Sequence, residues 1–179
     1  MKIALFICPA IFFSLIGCSL APISPIHSKL EKIEKLKLGS TKKEAEIIFG
    51  SANEIKNENS ETQLIYTHHY ESKTGVYDFP EITLTYSSDE KLVSKDFNLF
   101  QTDMAIKASD ILARYKHFPL KKIIKVTQPL PCYIKEEGYL IDEKNGIRAD
   151  FNTSRNEEIQ SIYWYTPDTQ EKPLTPAKN

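Results

Sequence analysis

Leu64-Ile65-Tyr66-Thr67-His68-His69-Tyr70 decides how this chain is to be read. Large side chains recur at every second position, the period of a strand rather than a helix. Leu64, Tyr66, His68 and Tyr70 share one face, and Ile65, Thr67 and His69 share the other. Further along, Ile82, Leu84 and Tyr86 alternate with Thr83 and Thr85, and Ser87 to Glu90 reads as a polar turn. Val93, Phe97 and Leu99 then line one face of a returning strand, with Lys95 between them. A meander of three antiparallel strands is expected.

Upstream of this stretch the periodicity is helical. Ser28 and Glu31 have the spacing of a capping box, Leu30, Ile33 and Leu36 form an apolar stripe, and Gly39 ends the helix. Thr41 and Glu44 repeat the box for a second helix, with Ala45, Ile48 and Phe49 facing inward and Gly50 as its stop. Downstream, Thr102 is placed to cap a third helix carrying Met104, Ala108, Ile111, Leu112 and Tyr115, ended by Phe118-Pro119. Ile123 to Val126 reads as a short strand or an extended connection, because Pro129 and Pro131 interrupt any long ladder. Tyr139 to Glu143 and Ile147 to Phe151 flank a turn ending in Asn145-Gly146, a hairpin signal, and Ile159 to Tyr165 is the last strand.

The fold class is therefore α+β, with short helices packed on an antiparallel sheet. Two organisations remain open: two tandem helix-plus-three-strand units, or a single α+β domain with one continuous sheet. The boundaries read from composition are a signal segment at 1–17, a tether at 18–27, a first α+β unit at 28–100, a second at 101–166 and a loose tail at 167–179, punctuated by Pro167, Pro173 and Pro176.

Charge excludes one broad class. Twenty-four acidic residues against twenty-three basic ones leave a net charge of −1, and no long basic block interleaves with aromatics, so nucleic acid is not an expected partner.

The N-terminus is more specific. Lys2 precedes an almost wholly apolar run from Ile3 to Ile16, interrupted by Cys8, Pro9 and Ser14, and the run closes on Leu15-Ile16-Gly17-Cys18. The run is shorter than the about 20 apolar residues that a spanning helix needs. Leu15-Ile16-Gly17-Cys18 resembles the lipobox of bacterial lipoproteins. The resemblance implies cleavage after Gly17 and acylation of Cys18, which then becomes the first residue of the mature chain, anchored in a membrane by its lipid, palmitate included. Ser19, standing where enteric-type sorting reads Asp as a retention signal, favours the outer membrane, with the body facing the periplasm rather than the cell surface. Of the three cysteines, Cys8 would leave with the signal and Cys18 would carry lipid. Cys132 is then alone, expected as a buried small hydrophobe rather than a nucleophile.

Leu38-Gly39-Ser40-Thr41, Glu44-Ala45 and Ile48-Phe49-Gly50, followed by a strand carrying Tyr66 and Tyr70 and a hairpin over Ile82 to Phe97, resemble the SmpA/OmlA lipoproteins of outer-membrane assembly. Those proteins share a β-lactamase-inhibitor-protein-like fold. The resemblance spans roughly residues 29–98. It departs from the family at Ala52, where proline is frequent. It implies a role accessory to envelope assembly. The tandem plan is that of the inhibitor proteins, which bind partners on a sheet face, so a periplasmic inhibitor of a hydrolase is the alternative, with the Glu71–Phe79 connection as a candidate insertion loop.

No nucleophile–base, zinc-peptidase, paired-cysteine or phosphate-loop pattern is present, so an envelope enzyme is the least favoured alternative, and no cofactor or metal is expected. His68 and His69 are strand neighbours pointing oppositely and do not suit one metal ion. Glu136-Glu137 and Glu157-Glu158 read as solvated turn charges. Aromatics are the one functional hint in the body: Tyr66, Tyr70 and Trp164 are candidates for a partner-binding face, since Tyr and Trp are enriched at interface hot spots, against the alternative that they pack the core. The expected function is a membrane-anchored, non-enzymatic protein-binding or scaffold module of the envelope, with a protein partner there.

Overall fold

A computed structural model describes residues 25–72, 75–99, 106–130 and 133–167. The lipobox, Thr102, Met104, Pro131, Cys132 and the tail from 168 lie outside the described residues, as does the side chain of Tyr70. The elements run α1 (Pro25–Lys35), α2 (Lys42–Phe49), β1 (Glu54–Glu58), β2 (Glu61–Ser72), β3 (Gly75–Tyr86), β4 (Leu92–Asn98), α3 (Ala108–Arg114), β5 (Lys121–Leu130), β6 (Tyr133–Asp142), β7 (Ile147–Asn152) and β8 (Glu158–Tyr165), with a 3-10 turn at Thr153–Arg155.

Local chemistry accounts for α2. Thr41 N–H donates to Glu44 Oε2 at 2.7 Å, and Glu44 N–H donates to Thr41 Oγ1 at 3.4 Å, which is the capping box expected there. The other two helices begin elsewhere than expected. α1 starts at Pro25, three residues before Ser28. Proline suits a first helical position because its missing N–H would have no intrahelical partner there, so Ser28 lies inside the helix rather than capping it. α3 starts at Ala108 after Lys107, and Leu112 is 39% exposed while Ala108, Ile111 and Tyr115 are buried.

All strands join one antiparallel sheet of order β1-β2-β3-β4-β8-β7-β6-β5. Among the described residues each half supplies four strands, so the expected three-strand units are corrected to four and four, joined where β4 pairs with β8 from Ser94↔Tyr165 to Asn98↔Ser161. The additional strand of the first half is β1, every residue of which is exposed. In the second half, β5 is a ten-residue strand, not a short one. It passes Pro129 through a shift of register between Thr127 and Leu130, which is how a strand accommodates a residue that cannot donate to the ladder.

One face of this sheet carries the core. Leu64 and Tyr66, Ile82, Leu84 and Tyr86, Phe97, Ile162 and Trp164, Ile147, Ala149 and Phe151, and Leu140 pack with Leu30, Ile33 and Leu36 of α1 and its extension, Ala45 of α2, and Ala108 and Ile111 of α3. Lys95 sits on this same face, 4% exposed. Its ammonium donates to the carbonyls of Ile33 and Leu36 at 2.7 Å each and lies 4.8 Å from the centre of the Trp164 ring. It thereby satisfies carbonyls that the end of α1 leaves unpaired, at the negative pole of the helix dipole. Burial brings its pKa down to about 8, against the opposing pull of Glu34.

Glu34 also fastens the two halves together. Its carboxylate accepts from Arg114 Nε at 2.7 Å and Arg114 Nη2 at 2.5 Å, and from the Tyr115 hydroxyl. Burial works to raise the Glu34 pKa, and the hydrogen bonds from Arg114 and Tyr115 overcome it, leaving the carboxyl below its ordinary value.

Candidate functional site

The core assignment settles where two candidate aromatics lie. Tyr66 is 8% exposed, its ring 5.4 Å from that of Phe49 and its hydroxyl 3.4 Å from the Gly50 carbonyl. Trp164 is 6% exposed and lies beneath Lys95. Both are packing residues of the helix-covered face and present no ring to a partner. Tyr70 is placed only by its backbone, opposite Tyr77 in the β2–β3 ladder.

The ladders define a second face, turned away from the helices, by simple alternation. One row across it reads Thr83, Asp96, Tyr163, Arg148, Ile141, and the next reads Asn98, Ser161, Asp150, Tyr139, Ile123. Asp96, Tyr139, Arg148, Asp150 and Tyr163 are half-buried. Tyr163 stacks on Tyr165 with ring centres 5.4 Å apart and planes at 22°. The Arg148 guanidinium lies 4.6 Å over the Tyr139 ring and donates from Nε to Asp150 Oδ1 at 2.8 Å. The centre of the sheet thus carries two tyrosines and an arginine, residue types enriched at protein contact surfaces, beside the carboxylates of Asp96 and Asp150.

Asp96 is the residue least at ease on this face. Burial raises its pKa to about 6, the nearby Asp150 charge pushes the same way, and the Phe97 N–H opposes both. A carboxyl that holds its proton more tightly when folded contributes full stability below the ordinary value of 3.8 and loses it as pH rises through about 6. The contribution of Asp96 to the unfolding free energy is therefore expected to fall between pH 4 and pH 6, by about 1–2 kcal/mol after allowance for solvent screening. Asp96→Asn should remove that contribution and raise stability at pH 7; urea titrations of wild type and variant at pH 4 and pH 7 check it, and a variant no more stable than wild type at pH 7 contradicts it.

His69 pairs with Asp78 and His68 packs edge-on against Phe79, on opposite faces of the β2–β3 ladder. Glu136 and Glu137 lie in β6 and Glu158 in β8, strands rather than the expected turns, while Glu157 pairs with Lys122. A polar recess of about 320 Å³ opens between Lys42, the β1–β2 turn and the β3–β4 turn, lined by solvated groups such as Asn57, Glu58, Ser88 and Glu90.

Sequence reasoning missed Asp96, Tyr139, Arg148, Asp150 and Tyr163 as a group. The alternation that places Tyr163 opposite Trp164 was readable; which of the two faces the helices cover was not. Comparison with protein families, with characterised proteins and with solved structures finds no match to this chain.

Proposed function

We propose that this chain is a membrane-anchored lipoprotein acting as a non-enzymatic protein-binding or scaffold module of the bacterial envelope. The observation that carries the reading is Leu15-Ile16-Gly17-Cys18 at the close of a short apolar run. Lipid on Cys18 would hold the body at the membrane, in the periplasm and at the outer membrane, and would raise its concentration near a membrane partner. No helix among the described residues is long and apolar enough to cross a membrane, so the lipid is the anchor in this reading. The partner would dock on the second face of the sheet, where Tyr139, Tyr163 and Arg148 supply contact area and Asp96 and Asp150 supply orientation. The β1-β2-β3-β4 and β8-β7-β6-β5 halves mirror one another in strand order, which supports a duplicated plan of one unit.

The test is crosslinking capture from the native envelope. Tyr139→Ala/Tyr163→Ala should lose captured partner by tenfold or more, in keeping with about 2 kcal/mol for an aromatic hot spot, while circular dichroism stays native. Undiminished capture by a folded variant would contradict docking on this face.

A specific observation favours the inhibitor alternative. β4 pairs with β3 only from Ile82 to Tyr86, so the β2–β3 ladder beyond it, as far as Ser72↔Gly75, projects as a two-stranded arm. Val76 and Tyr77 on that arm are 66% and 48% exposed. Inserted into a hydrolase cleft, the arm would be the inhibitory element; shortening it would then abolish inhibition and leave second-face docking intact.

A further inference from the structure

The sheet ends in two edges of complementary chemistry. β5 is the last strand on one side, and its residues Lys121 to Val126 are all exposed, Ile124 at 50%. β1 is the last strand on the other, also exposed throughout, Ile55 at 61%. Every neighbouring pair in the sheet is antiparallel and the strands number eight, so β1 and β5 run in opposite directions. Two copies laid side by side in the same orientation would therefore meet β5 to β1 as a further antiparallel pair, with both faces of the sheet continuous.

The faces of these edge residues are given by their inner partners. Lys121 and Ile123 stand opposite Ile141 and Tyr139, and Glu54 opposite Ile65, so Lys121, Ile123 and Lys125 share the second face with Glu54, Lys56 and Glu58. Ile124 and Ile55, opposite Gly138 and Leu64, belong to the helix-covered face. One register satisfies both faces. It sets Lys125 against Glu54 and Lys121 against Glu58 on the second face, with Ile123 along the stem of Lys56. On the other face it sets Ile124 directly on Ile55.

Pairing like edges does worse. β5 against β5 centred on Ile123 opposes Lys121 to Lys125, and β1 against β1 centred on Lys56 opposes Glu54 to Glu58. Like charges directly across a ladder are destabilising. Lysine on a sheet edge commonly discourages pairing; here the opposite edge carries the carboxylates that neutralise it. We infer that a second copy of this chain docks by edge-strand addition, β5 of one copy on β1 of the next. The contact is head-to-tail, so it leaves a free edge at each end and propagates into a row of copies.

The experiment is sedimentation velocity of the purified full chain in detergent, with micelles in large excess. Wild type should self-associate with rising concentration and dissociate as salt is raised. Lys121→Glu/Lys125→Glu alone and Glu54→Lys/Glu58→Lys alone should each stay monomeric while keeping native circular dichroism. An equimolar mixture of the two variants regains complementary edges and should associate again, at least about tenfold more strongly than either alone. Wild type remaining monomeric across the concentration range, a single variant associating as wild type does, or a folded mixture that stays monomeric would each overturn the inference.

Discussion

Gly146→Ala is expected to destabilise the fold by about 3–4 kcal/mol, among the larger effects a single methyl group produces. Gly146 has φ +63°, and a Cβ there would stand 1.8 Å from the Tyr165 carbonyl oxygen. The approach is close because Tyr165 N–H donates to the Gly146 carbonyl at 2.9 Å, holding the end of β8 against the β6–β7 turn. The left-handed conformation alone costs a non-glycine residue about 1–2 kcal/mol. The clash is with backbone, so β8 must shift as well, and β8 is the strand through which the halves join. Asn145→Ala is the control. It removes the bond from Asn145 Nδ2 to Asp142 Oδ2 at 2.5 Å but leaves the backbone path alone, and should cost only about 1 kcal/mol. Urea unfolding of both variants checks the pair. A Gly146→Ala cost no greater than that of Asn145→Ala would show that the turn and β8 are not so closely apposed.

The same turn shows what was legible beforehand. Asn145-Gly146 announced a hairpin, Thr41 and Glu44 announced a helix start, and the alternation of Leu64 to Tyr70 and of Ile82 to Tyr86 announced strands, because each signal acts within a few residues. β1 carried no such signal: both of its sides are solvated, so Glu54 to Glu58 shows no apolar period. β5 was obscured by Pro129, since a register shift that admits proline is set by the partner strand and not by local sequence.

Long-range placement was the larger gap. Glu34 meets Arg114 and Tyr115 from eighty or so positions away, a pairing that no local pattern encodes. Lys95 read as a polar interruption of a strand, yet it serves α1 from inside the core. The candidate aromatics failed for a related reason. Alternation sets Tyr66 apart from Ile65 and Trp164 apart from Tyr163, but exposure depends on which face the helices cover, and that choice is tertiary.

One acyl chain binds a membrane only marginally, at ~0.8 kcal/mol per buried CH₂, whereas two or more anchor durably. A lipoprotein-type modification of Cys18 would therefore make membrane residence nearly all-or-none, and Cys18→Ala would remove it without touching the described fold. The decisive measurement is fatty-acid labelling combined with membrane fractionation of wild type and Cys18→Ala expressed in a bacterial host. The expected result is a labelled, processed wild-type chain in the outer-membrane fraction and an unlabelled Cys18→Ala chain that is unprocessed or soluble. Labelling that persists in Cys18→Ala, or wild type that never takes up label, would contradict it.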